Sequence, residues 1–131
     1  KHVSYDLWEM NEGIHLYSLA SICAAFNSMT NIYDVIYESY KNNRIKQEKI
    51  EKVKAEIEKY NVEIKKYILN NLYDDNKKVL KRNTLDENSD ISILGIVTPF
   101  EIFSPSEKKV QNTVNKIEMT LRTFSRRLLK I

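Results

Sequence analysis

Scarcity of glycine and proline is the tightest constraint on this chain: two of each occur in 131 residues. An all-β domain needs turn residues every 8–12 positions or so, and this sequence does not supply them. Hydrophobic residues make up 42% and charged residues 30%, enough to build an ordinary core. The expected class is therefore all-α, over residues 1–131 as one partial domain. Twenty-one Lys and Arg against eighteen Asp and Glu leave a net charge of +3. That excess is spread too evenly for a nucleic-acid surface, which needs clustered cations to release phosphate counterions. No apolar stretch approaches the ~20 residues that span a bilayer, so no membrane partner is expected. The chain opens at Lys1 rather than Met and reads as a processed or excised piece.

Hydrophobic periodicity gives the order of elements. Between Gly13 and Phe26, apolar side chains point in nearly every direction around a helix, which predicts a helix surrounded by protein. Ile32, Tyr33, Ile36, Tyr37 and Tyr40 continue as a one-sided stripe, with a break at 27–31 left open. Asn42-Asn43 predicts a turn. From Arg44 to about Leu72, the residues Ile50, Val53, Ile57, Tyr60, Ile64 and Tyr67 form a narrow seam among Lys and Glu. That seam fits an outer helix lying on the preceding one. It also fits a coiled coil, and with it a non-catalytic interaction module that associates through residues 50–67.

Beyond Tyr73 only Val79 and Leu80 break a polar stretch, which predicts a short exposed strand. Ser89 or Asp90 is placed to cap a second buried helix, 91–97, ending near Pro99. Ser104-Pro105-Ser106-Glu107 predicts a helix start, and Val110, Val114, Ile117 and Leu121 give that helix a one-sided stripe. The buried–exposed alternation predicts consecutive αα-hairpins, as in a barrel of paired helices or an α-solenoid.

Chemistry concentrates in the first fifteen residues. Glu9 adjoins Trp8, the single tryptophan, and follows Asp6 by three positions. An apolar wall and a neighbouring carboxylate both raise a carboxyl pKa, which keeps a general acid protonated near neutral pH. Tyr5 and Trp8 offer flat faces to a sugar ring. The same spacing also suits a helix cap with favourable charge at the helix N-terminus. His2, His15 and Cys23 lack zinc spacing, and two glycines cannot form a phosphate loop; no metal or cofactor is expected. His15 is expected to be a hydrogen-bonded residue of the first helix.

Tyr5-Asp6-Leu7-Trp8-Glu9, then Gly13-x-His15-x-Tyr17 and an Ala- and Ser-rich helix, resembles the acid signature of family 15 glycoside hydrolases, the glucoamylase type. Leu72-Tyr73-Asp74, Asp90-x-Ser92 and Phe103-Ser104-Pro105 extend the likeness downstream, so that it covers essentially the whole chain. The resemblance implies part of an (α/α)6 barrel that releases glucose from α-linked glucans with inversion. It implies Glu9 as the general acid, Asp6 as a substrate-binding residue that tunes it, and Trp8 and Tyr5 as pocket wall. Met10 replaces a second Glu found in many members, and Lys130-Ile131 stands near the place of a substrate-binding Arg followed by Tyr. An inverting hydrolase also needs a base about 6.5–9.5 Å from the acid. The family's base segment lies beyond Ile131, and Asp90 and Glu101 read better as a helix cap and loop surface. The 131 residues alone are accordingly expected to be inactive. Because the apolar surface of Ile14–Phe26 would otherwise lie open, they are expected either to self-associate or to collapse into a non-barrel packing of the four helices, and the rest of the barrel is the other partner expected.

Overall fold

Helix α1, Leu16–Ser39, and helix α2, Arg44–Asn71, form an antiparallel hairpin. The computed structural model describes residues 3–5 and 12–128, with side chains except at Tyr5 and 126–128. No break occurs at 27–31, where the Thr30 hydroxyl bonds back to the Phe26 carbonyl at 3.0 Å and the helix continues. The turn falls on the asparagines. Asn43 donates its N–H to Tyr40 at 2.7 Å, and its side chain caps α2 by accepting the Lys46 N–H at 3.1 Å.

Three polar rungs set the register of the hairpin. The Tyr37 hydroxyl donates to Glu51, Lys54 meets Asp34, and the Asn61 amide donates to Asn27. Each step back along α1 is matched by an equal step forward along α2. Between the arms, Ile50 and Ile57 are buried, while Val53 and Tyr60 are exposed and Ile68 and Leu72 are fully buried. Part of the seam of residues 50–67 is thus taken up in the hairpin with α1, and burial drifts toward 64, 68 and 72 as a straight helix does against a seven-residue repeat. Within the chain, α2 lies on α1 as the outer-helix reading expects.

The first helix is covered on one side only. Leu16, Leu19, Ala20 and Cys23 are buried, but Ile22 is 42% exposed and Ala25 is exposed, because α2 and the segment 91–96 both pack on the opposite face. The expected second buried helix is a single short 3₁₀ piece, Ile91–Ile96, capped as anticipated by Asp90, whose carboxylate accepts the Ser92 N–H at 2.9 Å. Its three-residue repeat stacks Ile93 and Ile96 on one face, and both are buried.

Two strand pairs of two residues each complete the frame: β1 (Ser4–Tyr5) with β2 (Glu12–Gly13), and β3 (Tyr73–Asp74) with β4 (Val79–Leu80). The expected exposed strand is corrected here, since Val79 and Leu80 are both buried under the last helix, α3, Lys108–Leu128. Thr113 of α3 explains why: its buried hydroxyl accepts the Leu80 N–H at 2.9 Å and donates to the Lys109 carbonyl at 2.7 Å. Ser104 and Glu107 do form a capping exchange, the Glu107 carboxylate accepting the Ser104 N–H at 2.8 Å, but the helix starts only at Lys108. Its buried face is Val110, Thr113 and Ile117, with Val114 and Leu121 exposed, one position round from the expected stripe. The fold class is all-α, and among the described residues no helix is long and apolar enough to cross a membrane.

Candidate functional site

Asp6, Trp8, Glu9 and Met10 lie outside the described residues, and Tyr5 is described by its backbone alone, as part of β1. What is described is the footing of the segment that carries them. Ser4 pairs with Gly13 and Tyr5 with Glu12 in the antiparallel pair β1–β2.

Gly13 is needed at the second strand. Its φ is +151°, and a Cβ there would stand 2.9 Å from Cγ of Asn83, closer than side chains tolerate. Asn83 is wholly buried; its Oδ1 accepts the Leu85 N–H at 2.8 Å, and its Nδ2 has no hydrogen-bond partner among the described residues. Two residues beyond Gly13, His15 is buried with Nε2 at 3.0 Å from the Ser4 carbonyl, which ties β1 to the start of α1. His15 is thus a hydrogen-bonded residue, as its setting in the sequence suggests.

A second clamp comes from residues 82–84, which run antiparallel to 14–16. Ile14 donates to the Thr84 hydroxyl and Thr84 donates to the Ile14 carbonyl, both at 3.2 Å, while Leu16 donates to the Arg82 carbonyl at 2.9 Å. Arg82 in turn bonds Asp86 and lies 3.4 Å from Asp90. Burial opposes charge on both partners of the Arg82–Asp86 pair, yet the pairing and the Asn88 N–H on Asp86 win, lowering the Asp86 pKa and raising that of Arg82. Sequence reading missed this clamp; its signal was one Arg followed by acids four and eight positions later.

Of the two substitute bases, Asp90 is already engaged and Glu101 stands at the surface. One Asp90 oxygen caps Ser92 and the other faces Arg82. Glu101 sits exposed on the loop that follows the cis Thr98–Pro99 bond, at a φ of +52°. Tyr17 packs edge-on to Phe100 with centroids 5.0 Å apart, and its ring lies over Gly95. Among the described residues, no group of three His, Cys, Asp or Glu side chains gathers in a way that would hold a metal ion.

Cavities open elsewhere among the described residues. One of about 860 Å³ lies between the β3–β4 turn and α3, with Lys77, Lys78, Lys116 and Phe124 in its walls. Another, about 550 Å³ and mostly apolar, is lined by Leu94, Val97, Pro105 and Val114. No family model, curated protein or solved structure matches the chain.

Proposed function

We propose that the chain is a portion of an inverting α-glucan hydrolase of the glucoamylase type, built as part of an (α/α)6 barrel and contributing the acid half of the active site. Glu9 is the general acid: held neutral against Trp8 and near Asp6, it hands its proton to the glycosidic oxygen as the bond breaks. Asp6 binds a substrate hydroxyl, and Trp8 and Tyr5 form the wall of the glucose pocket. The base that activates water comes from another part of the barrel.

One observation supports this reading above the others. The backbone on either side of the acid motif belongs to one hydrogen-bonded frame: β1 is tied to His15, residues 14–16 to 82–84, and Arg82 lies 3.4 Å from Asp90, which caps Ser92. Pre-organised support of this kind is what a proton donor requires, since a displacement of 1 Å costs on the order of a hundredfold in rate.

Trp8 makes the reading testable, because as the sole indole it reports on the pocket alone. Titration with maltose is expected to give a saturable change in its fluorescence, weakened by Asp6→Ala and absent with β-linked cellobiose. A flat titration with maltose and with longer α-glucans sinks the proposal. The 131 residues alone are expected to release no glucose from maltooligosaccharides. Release that Glu9→Gln abolishes would show that the base is within the chain.

A further inference from the structure

The cavity between the β3–β4 turn and α3 has one sign of charge in its walls. The described residues that line it include Lys77, Lys78 and Lys116 and no acid. Lys77 is already held, its Nζ 2.6 Å from Glu87 and 3.5 Å from Asp74. Lys78 meets only Asp75, at 3.8 Å and at the surface. Lys116 is half-buried and has no ion pair among the described residues. Two cations with charge to spare thus stand on opposite walls, Lys78 on the turn and Lys116 on the helix. The walls are tied to each other, since the Asn112 amide of α3 donates to the Lys78 carbonyl at 3.2 Å and the Leu80 N–H donates to Thr113 at 2.9 Å.

The rest of the lining defines the body of a ligand. Thr120 and Thr123 commit their hydroxyl protons to the Lys116 and Met119 carbonyls, so each offers only lone pairs to the cavity. Asn112 is engaged through its nitrogen, which leaves its oxygen to accept. Such walls suit a molecule that donates hydrogen bonds. Phe124, 63% exposed, offers its ring as an apolar face for a flat heterocycle, with Val79 and Met119 also in the lining. A volume of about 860 Å³ falls within the range of small-molecule sites.

We propose that this cavity binds a nucleoside monophosphate. Lys78 and Lys116 take the phosphate from opposite sides, and its double charge matches two ammonium groups better than a carboxylate does. The threonine and Asn112 oxygens accept from the sugar hydroxyls and the amino group of the base, and the base lies against Phe124. The inference stands apart from the hydrolase reading and uses none of its site residues.

Calorimetric titration of the full chain with adenosine monophosphate, in phosphate-free buffer of low ionic strength, tests it. A saturable isotherm is expected, at least about tenfold weaker in Lys116→Gln and in Lys78→Gln, and at least about fivefold weaker in Phe124→Ala. These positions are exposed or half-buried, so each variant should keep the helicity and thermal midpoint of the parent. Lys52→Gln, exposed on α2 and outside the cavity, should bind as the parent does. A titration with adenosine monophosphate that never saturates overturns the proposal. So does adenosine binding as tightly, which would remove the anion from recognition, or ribose phosphate or inorganic phosphate binding as tightly, which would remove the base. An equal loss in Lys52→Gln would make the effect one of net charge and overturn it as well.

Discussion

Gly13 carries more structural consequence than its size suggests. Its backbone lies in a region that side chains avoid, and Asn83 fills the space where a Cβ would stand. Since Asn83 is wholly buried and held through Leu85, it cannot swing aside. Gly13→Ala should therefore cost about 2 kcal/mol or more in urea unfolding, combining backbone strain with overpacking. A cost within about 0.5 kcal/mol would mean that the strand pair is not held as described. The sequence signals at this scale were uneven. Asp90, one of the two caps expected, does cap, and the turn expected at Asn42-Asn43 forms, with Asn43 also capping α2, because a side chain two or three residues from an open N–H has few alternatives. The Asn83 contact with Gly13 spans seventy positions, and no local pattern announces it.

Among the elements, the α1–α2 hairpin was the most legible and the segment after Asn71 the least. Long periodic stretches average over many side chains, whereas Val79-Leu80 and Ile91–Ile96 owe their form to what lies on top of them: Thr113 over the strand, Tyr17 over Gly95. The seam of α2 shows where periodicity misleads. Ile57 and Val53 belong to the same pattern, but the first is 6% exposed and the second 36%. Truncation should separate them: Ile57→Ala is expected to cost about 2–4 kcal/mol, and Val53→Ala under about 1 kcal/mol. Equal losses in denaturant melts would restore the coiled-coil reading of that face. The acid motif itself was legible only as a resemblance, because Asp-x-x-Glu before a helix serves caps as well as catalysis.

For the whole molecule, carboxylates fix the response to acid. The Lys77 N–H, then other groups of the β3–β4 turn, hold Asp74 below its ordinary value of 3.8. Asp86 and Glu107 are lowered against the opposing effect of burial, by Asn88 and Arg82 in one case and by Lys109 and Ser104 in the other, from ordinary values of 3.8 and 4.5. A carboxyl depressed in the folded state stabilises it above the ordinary value and loses that contribution as pH falls through the depressed one. Unfolding free energy should thus hold steady near neutrality and decline once the pH drops below about 4, with a smaller decline in Asp86→Asn. A stability that rises on acidification would contradict the pairing of Arg82 with Asp86. The rungs Tyr37–Glu51, Asp34–Lys54 and Asn27–Asn61 carry one more consequence, for how such a chain can evolve. A single residue inserted between rungs in one arm would rotate everything beyond it by about 100° and misalign the remaining rungs together. Descendants of this sequence are accordingly free to change length at the 40–43 turn, but within the arms only by matched changes in both.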